Sequence, residues 1–343
     1  MRWWVLALLA GCDEPRVVPT NPTDPATLIE TGLCTDGPCA RFATDVIEFE
    51  PRYTLYTNGA TKRRWVALPD GERIDTSDMN DWRFPVGTRL WKEFTRDGVR
   101  VETRYIVKLL SDDAAPNSWL FASFAWNAEQ DETTRAPEAG VKDANGTQHD
   151  IPSRSECQGC HENLPGRVLG FGAMSLDGAT PVSLADLVAM DMLTGAMLDA
   201  PRRHQLGTSD AEHILGTMPA EGDLAFPVPG TDIDRAAFGY LHANCGHCHN
   251  PSSRVHLETP LELRLVTNAT DIVDVPARAT TVDVAAVVGG VPGPIVLPGD
   301  PAGSVMIFRM NATEVPTKMP ALGTELVDPV GQEVLTAWIL QPP

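Results

Sequence analysis

Positive charge is scarce in this sequence. Its 343 residues hold 27 Lys and Arg against 46 Asp and Glu, a formal net charge of −19. Phosphate backbones reward Lys and Arg, so the balance argues against a nucleic-acid partner. It suits solubility, or docking to a basic protein. Long apolar runs are missing as well. Trp3 to Ala10 is too short to span a bilayer, and no later stretch is apolar enough to do so. Residues 46–152 hold no grouping of nucleophile, base and acid that would indicate catalysis. The apolar content of 43% is ordinary, and the length allows two or three modest domains.

The N-terminus reads as a targeting segment. Arg2 supplies a positive start, the apolar run follows, and it ends in Leu9-Ala10-Gly11-Cys12. That ending resembles the lipobox of bacterial lipoproteins, in which the signal is cut before a cysteine that is then acylated. The reading assigns residues 1–11 to a signal peptide and Cys12 to a lipid anchor, and places the mature chain on the periplasmic side of a bacterial membrane. Several acyl chains hold a protein at a membrane where one does not.

Cysteine is also sparse, and its odd count needs an explanation in an exported chain. The seven are Cys12, Cys34, Cys39, Cys157, Cys160, Cys245 and Cys248. Cys12 takes lipid. Cys34 and Cys39 flank the turn CTDGPC and are placed to close a small disulfide in an oxidising compartment. The other four form Cys157-Gln-Gly-Cys160-His161 and Cys245-Gly-His-Cys248-His249.

Both pairs read C-x-x-C-H, the signature of c-type haem attachment. Two thiols with two residues between them stand about one helical turn apart, within reach of the two vinyl groups of one haem. The next residue, His, then lies under the iron as proximal ligand. A zinc ribbon also uses paired C-x-x-C, but its pairs lie roughly 15–20 residues apart, far closer than Cys160 is to Cys245. A thioredoxin-like site needs a βαβ setting that neither pair has. The expected cofactors are two haem c groups, with His161 and His249 as iron ligands.

The rest of the chain divides around these motifs. Residues 12–45, rich in Pro, Thr and Asp, read as a tether carrying the disulfide loop. Residues 46–152 alternate in strands near 63–68, 88–94, 99–109 and 119–126, broken by Asp-Gly turns. They predict an antiparallel sandwich or barrel filled by Trp65, Trp82, Trp91, Trp119 and Trp126, with His149 as plain surface. Residues 153–230 carry the first motif and a short helix capped by Ser183. Met174, Met190, Met192, Met197 and Met218 are scattered there, with no means of choosing a distal ligand among them.

Residues 231–343 read as a small cytochrome. Thr231 or Asp232 starts a helix with a face of Ile233, Ala236, Ala237, Tyr240 and Leu241 that runs into Cys245. Asp328 and Pro329 start a last helix that buries Val330, Val334, Leu335 and Trp338. Between them lies Lys318-Met319-Pro320, where small c-type cytochromes place a distal methionine, so Met319 is the expected sixth ligand. Met306 and Met310 read as packing. The expected fold class is α+β and multidomain: an N-terminal antiparallel β domain followed by a mainly α-helical, cytochrome c-like haem region.

The stretches KRRWVALPDG, DWRFPVGTRLWKEF, IPSRSECQGCH, RVLGFG, YLHANCGHCHNP and VLPGDPAGSVMIFRM, followed by KMPALG, resemble bacterial dihaem c-type cytochromes with a C-terminal cytochrome c domain. The likeness spans about residues 30–341 and keeps the motifs in order. It implies Cys157, Cys160 and His161 for one haem, and Cys245, Cys248, His249 and Met319 for the other. It implies electron transfer between redox protein partners, a donor and an acceptor, and names no substrate. A saturated His/Met iron passes electrons without binding substrate. The competing readings are a dihaem peroxidase- or oxidase-like enzyme with an open first iron, and a haem-based sensor. Peroxidases of that kind usually carry their first motif near the mature N-terminus, with no β domain ahead of it.

Overall fold

The computed structural model describes residues 21–194, 224–287 and 290–342. Six strands form one sheet: β1 (Ile47–Phe49), β2 (Thr61–Ala67), β3 (Arg89–Arg96), β4 (Val99–Lys108), β5 (Trp119–Trp126) and β6 (Thr133–Arg135). Each is antiparallel to the next, in the order β1-β2-β3-β4-β5-β6. The tightest link, β3 to β4, is Asp97-Gly98 with φ of 52° and 81°. Positive φ at both central residues matches the twist of the strands it joins.

Register sorts the side chains onto two faces. Trp65, Trp91 and Tyr105 are cross-strand neighbours on one, and Val66, Leu90, Ile106 and Phe121 on the other. The first face is covered by the N-terminal segment, whose Leu28, Leu33, Cys34 and Cys39 pack on Trp65, Trp91, Tyr105 and Trp126. The Trp91 indole donates to Thr31 Oγ1 at 2.8 Å, and the Tyr105 hydroxyl to the Pro22 carbonyl at 2.9 Å. Cys34 and Cys39 are disulfide-bonded, with Cα atoms 5.1 Å apart. The tether reading of residues 12–45 is therefore corrected for 21–45, which seal an aromatic sheet face that would otherwise meet water.

The second face is covered by residues after the first motif. Helices α1 (Arg154–His161), α2 (Ala173–Leu176) and α3 (Leu184–Ala189) follow the sheet. Phe171, Leu176, Leu184, Leu187 and Met192 pack on Val66, Leu90, Trp119 and Phe121. The five expected tryptophans are all buried. His149 is not surface, as expected, but fully buried, with Nε2 2.8 Å from Glu102 Oε1. That inward-facing carboxylate is what a lone histidine needs to be buried.

The C-terminal region holds α4 (Asp232–Asn244), α5 (Val305–Asn311) and α6 (Pro329–Ile339). Thr231 and Asp234 form a capping box on α4. Phe238 meets Trp338 edge to face with centroids 5.5 Å apart, joining α4 to α6. Asp234 Oδ1 also accepts from the Trp338 indole at 3.1 Å. Asp234 thus faces inward and Ile233 is exposed, a correction to the expected face; Val330 on α6 is exposed too. The Tyr53 ring lies on Gly239, where any Cβ would overlap it, so the chain ahead of β2 is wedged against α4.

The expectation of a mainly α-helical haem region is overturned. Among the described residues the fold is an antiparallel six-stranded sheet with 23% helix and 18% strand. The reason lies in residues 245–304, where Pro and Gly punctuate the chain, as in Val291-Pro-Gly-Pro-Ile-Val-Leu-Pro-Gly-Asp-Pro301. Proline removes the donors that a continuous helix requires. The segment's described residues instead form turns, short helical turns such as Pro276–Ala279 and isolated bridges such as Val282 to Val296. Among the described residues no helix is long and apolar enough to cross a membrane.

Candidate functional site

The first motif is set by its helix. Ser153 and Glu156 close a capping box at the start of α1, and Cys157, Cys160 and His161 occupy its later turns. The helix rests on β5, with the His161 and Phe121 ring centroids 5.1 Å apart. His161 Nδ1 lies 2.6 Å from the Arg167 carbonyl. A carbonyl only accepts, so Nδ1 carries the proton and Nε2 is the bare nitrogen. Burial pushes the imidazole pKa down to about 3, which keeps the ring neutral. A neutral ring oriented through Nδ1 is the arrangement an iron ligand requires. Arg167 is itself held by the Asp113 carbonyl, at 3.1 Å from Nε and 2.8 Å from Nη2. Burial raises both thiols, Cys157 and Cys160, to about 11.

The second motif begins where α4 stops. Asn244 fixes that end: its Oδ1 accepts from the Tyr56 N–H at 2.7 Å, and its Nδ2 donates to the Tyr240 carbonyl at 3.0 Å. Cys245, Cys248 and His249 follow in a turn in which the His249 N–H donates to the Cys245 carbonyl at 2.9 Å. They open on a cavity of about 490 Å³ that is also lined by Met319. That volume lies within the roughly 300–1,000 Å³ of small-molecule and cofactor sites. Burial lowers the His249 pKa to about 4 and raises the Cys245 thiol to about 12. Its Nδ1 is buried with no hydrogen bond, unlike that of His161. Met306 and Met310, expected as packing, also line this cavity. The Met319 N–H donates to the Arg309 carbonyl at 3.0 Å, fixing the Met-Pro loop to α5.

The two motifs, far apart in sequence, meet. Cys160 and His247 line both the second cavity and a smaller one, about 120 Å³, that holds Cys157 and His161. Asn163 Nδ2 lies 3.9 Å from Cys248 Sγ. The first cavity is too small by volume for a flat macrocycle, but it adjoins another of about 90 Å³ that shares Arg64, Lys92, Val168, Leu169 and His247. The second motif therefore fits haem by volume and donors, the first by its donors. Among the described residues no group of three or more Cys, His, Asp or Glu is gathered as a bare metal ion would need. The four thiols thus form two pairs, not one tetrahedral set.

Three kinds of residue at this site were not anticipated from sequence. His247, between the second pair of cysteines, is buried and neutral, its pKa lowered by burial to about 4. Phe121 and Ile106 bring the sheet into the wall of the first cavity. Arg64, Lys92 and Arg104 bring positive charge there. The signal was present: cations in the core-facing phase of otherwise apolar strands. Of the scattered methionines, Met174 lines the adjoining cavity, Met192 packs in the core and Met190 is exposed. Met197, Met218 and Cys12 lie outside the described residues. No protein-family model, curated protein or solved structure matches the chain.

Proposed function

We propose that the chain carries two covalently attached haems, one on each C-x-x-C-H motif, and relays single electrons between a donor and an acceptor protein. It would do so on the periplasmic side of a bacterial membrane, held there by lipid on Cys12. The observation that carries this reading is the convergence of the two motifs on adjoining cavities that share Cys160 and His247. When bound, haem iron supplies a one-electron couple whose potential is set by axial ligands, hydrogen bonds and burial. The residues hold and tune. His161 presents Nε2 because its Nδ1–H donates to the Arg167 carbonyl. His249, in the turn after α4, and Met319, on the Met-Pro loop, line one cavity. Leu261, Leu263, Ile295 and Val305 line that cavity and exclude water.

Mass spectrometry of the matured protein tests the reading. The chain should carry two haems that survive denaturation and acidic solvent extraction, and Cys245→Ala with Cys248→Ala should leave one. An unmodified polypeptide after expression with a competent maturation system sinks it.

One observation favours a second reading, the peroxidase-like enzyme. Among the described residues no methionine lines the cavity of Cys157, Cys160 and His161, where His247 and Lys92 offer nitrogen. If the reduced wild-type protein binds carbon monoxide at one haem, and consumes peroxide with a reduced donor, the enzyme replaces the carrier. If it resists carbon monoxide at both, the carrier stands.

A further inference from the structure

The sheet face turned toward the first motif carries an unusual row. Cross-strand register sets Arg64 opposite Lys92 and Lys92 opposite Arg104. Like charges directly opposite on one face destabilise a sheet, and burial multiplies the cost. In a chain of net charge −19 there is no shortage of carboxylates to offset them. Arg104 has one, with Nη2 2.6 Å from Glu102 Oε1. Arg64 is only 4% exposed, yet among the described residues neither it nor Lys92 has a hydrogen-bonded or ion-paired partner. The Lys92 Nζ stands 5.2 Å from the Phe94 ring. Burial drives Lys92 well below its usual range, Arg64, Lys62 and Arg104 push it further, and Glu102 offsets them only in part. Burial also lowers Arg64, to about 10, which the exposed Glu50 offsets only in part.

Both side chains line the cavity of Cys157, Cys160 and His161, and both line the one adjoining it. Two cations without a paired carboxylate, Arg64 buried and Lys92 half-buried, stand beside a haem-attachment motif and are placed to hold two anionic groups. A haem bears two carboxylates at the edge opposite its vinyl groups. Resting on the function proposed above, we infer that Arg64 and Lys92 bind the paired propionates of a haem attached at Cys157 and Cys160. The β domain is on this inference half of the first cofactor site, not a separate docking module. A free dianion, such as a dicarboxylate or phosphate, would offer the same paired oxygens.

Potentiometric titration of the matured dihaem protein separates these outcomes. In Arg64→Gln or Lys92→Gln a propionate loses its counter-charge, which favours ferric iron. The first haem's ferric-to-ferrous ratio at fixed potential should rise about tenfold, a fall of about 59 mV for one electron. The double variant should fall further, Arg64→Lys should stay near wild type, and the second haem should not move. Added succinate or phosphate should leave wild type unchanged; a saturable shift means that a free anion occupies the site and overturns the inference. So does a double variant with an unmoved first haem, or one in which both haems shift alike. If the Gln variants do not accumulate, infrared spectra of wild type with ¹³C-labelled propionates carry the test. Ionised, ion-paired carboxylates are expected at the first haem, and protonated acid bands overturn the inference. A first motif without haem overturns both this inference and the proposed function, whereas two haems with unmoved potentials overturn this inference alone.

Discussion

Two side chains carry sharp expectations. Met319 shares its cavity with Met306 and Met310, so proximity alone does not single it out. The expectation rests on its place in the Met-Pro loop, which its N–H fixes to α5. Met319→Ala should abolish the near-infrared sulfur-to-iron band, lower one midpoint potential and let carbon monoxide bind that haem, because a soft thioether favours reduced iron. If the band survives there but is lost in Met306→Ala or Met310→Ala, the distal ligand is reassigned. Glu102 is the second case. It accepts from Arg104 Nε at 2.9 Å and lies 2.8 Å from His149 Nε2, all inside the sheet's core. Burial opposes its ionisation, but Arg104 and His149 outweigh that and hold the carboxyl below its usual 4.5. Glu102→Gln should cost about 3–5 kcal/mol at neutral pH, the range for breaking a buried pair. The folded carboxyl titrates lower than the unfolded one, so this stabilisation is complete above about pH 4.5 and lost as pH falls through the folded value. Urea unfolding of wild type and variant should therefore converge in acid. A gap that persists there would mean that packing, not charge, makes the difference.

Among the elements, the disulfide loop has the clearest role. It holds Leu28 and Leu33 against Trp65 and Trp91. Cys34→Ala with Cys39→Ala should cost about 2 kcal/mol, the loop-closure value for so short a ring. Denaturant titration followed by tryptophan fluorescence reads it, and an unchanged midpoint would count against the loop as a clamp. Much at this scale was legible in the sequence. Alternation and Asp-Gly turns located β2 to β5, and Ser183, Thr231 and Asp328 each cap the helix that their position announced. What was not legible depends on partners distant in the chain. His149 is buried because Glu102 faces it, and Asp234 turns α4 because Trp338 reaches it. The helical content expected after the first motif gave way to proline, which was visible, and to turns, whose paths were not. At the candidate site, the motif residues could be read from spacing alone. The cations that face them left a signal in the core-facing phase of their strands, but only strand register brings Arg64, Lys92 and Arg104 into line.

For the molecule as a whole, the proposed anchor sets location. Cys12→Ser should release the chain from membranes into the soluble exported fraction; a wild type already soluble after cell breakage would count against lipidation. The shared wall of the two cavities has a consequence of another kind, in the order of events. Cys160 and Cys245 face cavities whose walls come from the sheet, α4 and the Met-Pro loop, segments that lie on both sides of the two motifs in the chain. On the proposed function, attachment must then come first. The chain would receive its cofactors while both motifs are open and fold around them afterwards. The N-terminal sheet emerges before either motif, but its cavity-facing side is completed only after the second. On that reading maturation has an order, with attachment ahead of the closure of the shared wall.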